Sequence, residues 1–127
     1  EVEMVRREYE ANGGKEIFLS MEDTKNDVIV GYCRLRFPFA PHRPEVGEND
    51  AIVRELRVSG SLVPIGKKAG KEWQHRGYGK QLLGEAEEIA REAGKEKILV
   101  LSGIGVREYY RKLGYGRDGI YMSKSLD

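Results

Sequence analysis

From Gly79 onward the apolar residues of this chain change their period, and that change constrains the fold more than any other feature. Leu82, Leu83, Ala86, Ile89, Ala90 and Ala93 recur at spacings of three and four, while Glu85, Glu88 and Glu92 fall off the stripe, the pattern of a helix with one buried face. Gly94 supplies its stop. Before Gly79 the pattern is that of strands. Val2 to Tyr9 and Glu16 to Met21 flank Asn12-Gly13-Gly14, and residues tolerant of positive φ between such runs predict a hairpin, with a short N-terminal helix as the alternative. Val28 to Phe37 repeats the strand pattern with Cys33 as a packing residue, and three prolines from Pro38 to Pro44 then predict an exposed loop. Ala51 to Val63 is a further β-rich run in which Gly60 suits a bulge or the strand's end. After the helix, Lys97 to Leu101 reads as a short buried strand. Val106, Tyr109, Tyr110 and Leu113 form one face of a second helix stopped by Gly114, and Tyr115 to Lys124 reads as a last strand. This order predicts an α/β fold, a mixed sheet with helices packed on it.

With 127 residues, 39% of them hydrophobic, the chain has length and apolar content for one domain over residues 1–127. It opens at Glu1 without a methionine and enters strand-like sequence at once, which reads like a piece of a longer protein. No apolar run approaches the ~20 residues of a membrane helix and no basic-then-apolar signal opens the chain, so a soluble, cytoplasmic location without membrane contact is expected. The single cysteine, Cys33, excludes an internal disulfide, an iron–sulfur cluster and a structural zinc, and His42 and His75 belong to no His/Cys cluster; no metal is expected. The formal charge of +1 conceals an asymmetry: from Arg34 to Lys80 there are ten Lys/Arg and five Asp/Glu. A basic middle segment attracts phosphate, of a cofactor or of nucleic acid, and a mixed solvated surface is the plainer cause of the same excess.

Gln74-His75-Arg76-Gly77-Tyr78-Gly79 lies between the strand-like run and the helix. The first N–H groups of a helix lack intrahelical partners and carry the positive end of its dipole, so such a loop holds a diphosphate by main chain, with Arg76 and Lys80 adding charge. Side chains at Gly77 and Gly79 are expected to obstruct that approach. The alternative is that both glycines merely make a tight strand-to-helix turn. A P-loop is excluded: five residues separate Gly60 from Gly66-Lys67, and Lys68 stands where Ser or Thr is required. A Rossmann fingerprint is excluded as well, since Leu82 occupies the place of its third glycine.

The spacing Q-x-x-G-x-G resembles motif A of GNAT acetyltransferases, and Glu108-Tyr109-Tyr110-Arg111-Lys112-Leu113-Gly114-Tyr115 resembles the second signature of that superfamily. The resemblance implies a GNAT-type mixed, mostly antiparallel twisted sheet with helices packed on it. It implies that Gln74, His75, Arg76, Gly77, Tyr78, Gly79 and Lys80 grip the pyrophosphate of acetyl-CoA. Leu56, Arg57 and Val58 then meet the pantetheine through main chain. Tyr110 falls at the tyrosine that lies near the thioester sulfur, where a phenol with an ordinary pKa near ~10 is protonated and can protonate the departing thiolate; its other reading is a core aromatic. Tyr109 is read as packing. Glu55 is a cofactor-side carboxylate that acts as a base if desolvation raises its pKa, or that simply pairs with Arg54, Arg57 or a neighbouring strand.

Longer stretches are similar to one family in particular. Val53 to Val58, Gly60 to Pro64, Gln74-His75, Gly103-Ile104-Gly105 and Arg107 to Lys112, with Arg6 to Tyr9 and Phe18 to Ser20, resemble the acetyltransferase domain of the Elongator catalytic subunit over nearly the whole chain. That family carries a preceding radical-SAM domain with an iron–sulfur cluster, uses acetyl-CoA and S-adenosylmethionine, and modifies the wobble uridine of tRNA. The resemblance therefore implies an acyltransferase domain of a tRNA-modifying enzyme, with tRNA and the radical-SAM domain as partners and no cluster bound by this chain. Lys67, Lys68 and Lys71 then read as an arm on tRNA phosphates, or as a solvated loop. Two other functions stand beside it: a protein (histone) lysine N-acetyltransferase, and a non-catalytic module that binds acetyl-CoA or tRNA.

Overall fold

Asn12 and Gly13 fix the first pairing. Both have positive φ, 51° and 76°, the geometry of a two-residue turn whose twist matches that of its strands. Ala11 pairs with Gly14 across it, so β1 (Val2–Ala11) and β2 (Gly14–Asp23) form the hairpin and the helical alternative is excluded. The computed structural model describes residues 2–38, 46–58, 77–102 and 104–127. Within them follow β3 (Val28–Phe37), β4 (Asp50–Val58), α1 (Tyr78–Glu92), β5 (Lys97–Leu101), a 3-10 turn (Ile104–Val106), α2 (Arg107–Lys112), β6 (Gly116–Asp118) and β7 (Tyr121–Ser125). The seven strands make one sheet in the order β1-β2-β3-β4-β5-β7-β6. Every neighbouring pair is antiparallel except β4 and β5. Between these two the chain must cross over the sheet, and α1 belongs to that crossover.

Leu82, Leu83, Ala86, Ile89 and Ala90 of α1 are buried in one core with Ile17 and Leu19 of β2, Cys33 and Leu35 of β3, Ala51 and Val53 of β4, and Ile98 and Val100 of β5. The alternation of each strand is thereby fixed: one set faces α1, the other faces away. Cys33 is fully buried and its thiol is pushed up to about 12 by desolvation, so it packs, as expected. Glu87 is buried on α1 because Tyr115 donates a hydrogen bond to it at 2.7 Å and Lys124 another at 3.2 Å.

Three expectations need correction. The run from Tyr115 to Lys124 is two strands, split by a turn at Gly119, whose φ is 64°. The second helix is shorter than its apolar pattern implies: Tyr110 is buried, whereas Val106 and Tyr109 are 48% and 41% exposed. Ala93 caps α1 on the exposed side rather than extending the buried stripe. The proline-rich loop, for the most part, and the chain beyond Val58 up to Arg76, including Gly60, lie outside the described residues.

One irregularity positions the site. Arg34 pairs with Glu55 but Leu35 pairs with Val53, so Arg54 is an extra residue, a β-bulge in β4. A bulge resets the alternation downstream. Ala51 and Val53 face α1, and after the bulge Leu56 and Val58 do so; Glu55 and Arg57 therefore face the other side of the sheet.

Candidate functional site

The parallel pairing of β4 with β5 runs from Asp50↔Lys97 to Val53↔Val100 and stops there. β4 continues through Arg54–Val58, while β5 turns its remaining residue, Leu101, to Tyr121 of β7. A fork opens between the two strands. On its β5 side, the backbone of residues 54–58 has no strand partner among the described residues. A row of amide donors and acceptors of that kind takes an extended chain bearing amides of its own.

The N-terminus of α1 stands at the end of this row. Gly77 starts the helix in the left-handed region, φ 77° and ψ 21°, and Gln81 donates to its carbonyl at 2.9 Å. No side chain caps the helix and its first turn holds no acidic residue, so the N–H groups of Gly79 and Lys80 and the dipole behind them offer a place for an anion. Beside this turn a groove of ≈ 320 Å³ runs between α1, α2 and β7, with the exposed Lys80 and Lys112 at its rim. The tyrosine at position 78 is buried and packs in the core, so only its main chain faces the anion position.

The two glycines are required for reasons the sequence did not disclose. A Cβ at Gly77 would meet nothing described within 4 Å; its positive φ is what calls for glycine. A Cβ at Gly79 would lie 2.9 Å from the Tyr109 hydroxyl and 3.6 Å from Val58 Cγ2. Gly79 is thus where α2 closes on α1 and β4, a packing reason for its small size that stands beside the expected approach of a diphosphate. Tyr109, read as packing, is half-exposed, sits edge-on to Tyr110 at 5.2 Å and carries its hydroxyl to the first turn of α1.

Tyr110 is 6% exposed, between Tyr109 and Tyr115, the latter edge-on at 5.8 Å. Desolvation pushes its hydroxyl up to about 12, with Tyr109 and Cys33 adding to the effect. The phenol is therefore a weaker acid than its ordinary value suggests. Full transfer of its proton to a thiolate whose thiol has the ordinary pKa of about 8.5 is uphill by about 5 kcal/mol. Tyr110 is suited to holding a hydrogen bond on a developing thiolate rather than to surrendering the proton.

Glu55 does not have the environment of a desolvated base. It accepts a hydrogen bond from the Tyr32 hydroxyl at 2.7 Å and ion-pairs with Arg34 Nε at 3.2 Å and Arg57 Nε at 3.3 Å. The Tyr32 hydrogen bond first, then the charges of Arg57 and Arg34, holds its carboxyl below the ordinary range. Of the two readings of Glu55, the paired one is found, with Arg57 and the neighbouring strand β3 as its partners. Leu56 and Val58 point to the α1 core and Arg57 away from it, so side chains leave the β4 main chain accessible along the fork.

The structure brings together Val58, Gly77, Tyr78, Gly79, Lys80 and the Tyr109 hydroxyl at the mouth of the fork, sets Tyr110 behind Tyr109 in the core, and puts Glu55 and Arg57 on the far face. Gln74, His75, Arg76, Lys67, Lys68 and Lys71 lie outside the described residues. Sequence reasoning missed Ser102, whose buried Oγ has no hydrogen-bond partner among the described residues at the end of β5. It also missed the Tyr32 contact with Glu55, because the register of β3 on β4 is not written in the spacing of either strand.

Comparison with known proteins adds three findings. The model of a family described as the acetyltransferase (GNAT) family matches residues 2–115. The chain is 56% identical over 128 residues to the tRNA uridine(34) acetyltransferase of Methanocaldococcus jannaschii, with 99% of this chain and 24% of that protein covered. It is 51% identical to human Elongator complex protein 3, with 99% and 23% covered. A solved structure of archaeal Methanocaldococcus infernus Elp3 with an N-terminal deletion superposes with a TM-score of 0.86 at 52% identity, over 98% of this chain and 30% of that one. The chain spans about a quarter of the length of these curated relatives.

Proposed function

The chain belongs to the acetyltransferase (GNAT) family, and from that premise we propose that it is the acetyl-CoA-binding acyltransferase domain of an Elongator-type enzyme that modifies the wobble uridine of tRNA. The observation that carries the reading is the uncapped N-terminus of α1 behind a left-handed Gly77, set at the mouth of the β4–β5 fork. The first N–H groups of α1 take the diphosphate, Lys80 and Lys112 add charge along the groove, and the β4 backbone from Arg54 to Val58 orients the pantetheine amides. Acetyl-CoA supplies an activated acyl thioester. Tyr110 places a hydrogen bond at the sulfur end of the fork, worth most in a site from which water is excluded. Glu55 fixes Tyr32, Arg34 and Arg57 on the acceptor side and does not act as the base. The relatives named for tRNA uridine(34) supply the acceptor class, and Lys67, Lys68 and Lys71 are assigned to its phosphates.

Cys33 is the single cysteine of the chain, and the described residues hold no group of three His, Cys, Asp or Glu that could bind a metal. This chain's residues do not fit an iron–sulfur cluster. S-adenosylmethionine and cluster chemistry are assigned to a radical-SAM part of the full-length protein, and that protein to the cytoplasm. No helix among the described residues is long and apolar enough to cross a membrane.

Acetyl-CoA at a hundredfold excess over its Kd is expected to stabilise the fold by about 2.7 kcal/mol, and free adenosine far less. Thermal unfolding with each ligand, followed by calorimetric titration with tRNA, is the test. The absence of any shift with acetyl-CoA would refute the cofactor assignment, and rapid acetylation of a histone-tail peptide with no tRNA binding at low salt would transfer the acceptor to protein lysine.

A further inference from the structure

The face of the sheet opposite α1 carries a depression that the acyl-transfer site does not use. Phe18 on β2 and Tyr32 on β3 are diagonal neighbours there, since Phe18 pairs with Arg34 and Ser20 with Tyr32. Their rings stack with centroids 5.5 Å apart at 29°. The Arg34 guanidinium lies over both, 5.5 Å from one centroid and 5.8 Å from the other. Ile29, 46% exposed, and Arg57 complete a hollow of ≈ 280 Å³, just below the range of whole drug-sized ligand pockets and so sized for one ring.

Glu55 organises the rim. It takes the Tyr32 hydroxyl and the Nε of each arginine, which leaves the outer nitrogens of both guanidinium groups for other acceptors. Arg34 and Arg57 have side chains 46% and 69% exposed. Two cations against one carboxylate give the hollow a net positive charge. A flat apolar floor under a cationic rim matches a flat ring that carries an anionic group, whereas a lysine-rich peptide meets like charge.

We propose that this hollow is a subsite for one unpaired nucleotide of the RNA acceptor, its base stacked on the Phe18–Tyr32–Arg34 platform and its phosphate held by Arg34 and Arg57. The proposal rests on the tRNA reading above and adds the place where the acceptor docks. Stacking on aromatic rings and guanidinium planes is how single-stranded RNA is held, and it is unavailable to a base inside a duplex. The location is consistent with the chemistry. Arg57 and Glu55 belong to the same β4 segment whose main chain lines the fork, and the bulge at Arg54 turns them to the side opposite Leu56 and Val58. A nucleotide in the hollow reaches the fork from one face of the sheet while the cofactor lies against α1 on the other.

The test is the affinity of the 127-residue chain for a fluorescent anticodon stem-loop and for a perfect RNA duplex of equal length, across a salt series. Phe18→Leu is expected to weaken stem-loop binding by about 5- to 150-fold and duplex binding little. Arg34→Gln is expected to lower the magnitude of the log–log salt slope by about 0.7 to 0.9. Both variants should keep the wild-type thermal shift with acetyl-CoA, which reports folding and the cofactor site independently. Wild-type RNA binding with unchanged affinity and slope in both variants would overturn the subsite alone; so would equal losses for duplex and stem-loop, or displacement of the RNA by a lysine-rich peptide. A wild-type chain that binds no RNA even at low salt would overturn the tRNA reading and the subsite together.

Discussion

Replacing Gly79 by alanine separates two explanations of the same glycine. If the position is small because a diphosphate approaches it, Gly79→Ala should abolish acetyl-CoA binding whatever stands at position 109. The geometry offers a second reason: the new Cβ would lie 2.9 Å from the Tyr109 hydroxyl, with Val58 Cγ2 at 3.6 Å and Tyr109 Cζ at 4.0 Å. Only the hydroxyl is too close. Relieving it costs on the order of 1–3 kcal/mol, the range for overpacking, lowered because Tyr109 is 41% exposed and can swing outward. Against this, alanine in a helix gains up to about 1 kcal/mol over glycine. Gly79→Ala alone should therefore be neutral to about 2 kcal/mol destabilising. In the Tyr109→Phe background the clash is gone and the same change should stabilise by up to about 1 kcal/mol. Urea unfolding of the four proteins of this cycle should give a coupling energy of about 1–2 kcal/mol, and the double variant should retain its thermal shift with acetyl-CoA. Coupling below about 0.5 kcal/mol, or loss of acetyl-CoA binding in the stable double variant, would refute the reasoning.

Removing the Tyr110 hydrogen bond to the developing thiolate, as in Tyr110→Phe, is expected to slow thiol release from acetyl-CoA by about 10²- to 10³-fold without loss of affinity. Since burial pushes this hydroxyl up to about 12, it stays protonated through the whole neutral range; any alkaline limb of the rate profile between about pH 7 and 10 should survive in Tyr110→Phe, and its disappearance would refute the assignment. Glu55, whose carboxyl is held low by Tyr32, Arg57 and Arg34, contributes stability that is present above the ordinary carboxylate pKa and lost as pH falls through its lower folded value. The difference in Tm between wild type and Glu55→Gln should thus be constant near neutrality and shrink in acid; a difference that grows in acid would contradict the cluster. Ser102→Ala removes a buried hydroxyl without a described partner and should leave stability in urea unchanged or raise it by up to about 1 kcal/mol, whereas a loss above about 1 kcal/mol would reveal a partner for Oγ.

Elements whose signal is local were legible in the sequence. Asn12-Gly13 announced its turn, and the three- and four-residue spacing from Leu82 to Ala90 announced α1 together with its buried face. The split of the last run at Gly119 was missed because Tyr115 to Lys124 keeps strand propensity on both sides of a turn only two residues long. Site residues divided in the same way. The glycine turn at Gly77 follows from the motif, but the contact of Gly79 with Tyr109 joins residues thirty apart in two helices, and the lowered pKa of Glu55 depends on Tyr32 and Arg34 of β3 as well as Arg57. No spacing along one chain encodes such contacts.

The extra residue at Arg54 ties these observations to function. Strict alternation from Ala51 and Val53 would have carried position 55 onto the α1 face, where a carboxylate would be desolvated and its pKa raised. The bulge reverses the parity. Apolar Leu56 and Val58 close the core under α1, and the charged pair Glu55 and Arg57 passes to the opposite face, where Tyr32 and Arg34 receive it. One inserted residue thus gives β4 an apolar flank beneath the N-terminus of α1 and a polar flank on the opposite face, while its main chain between them stays available to the fork.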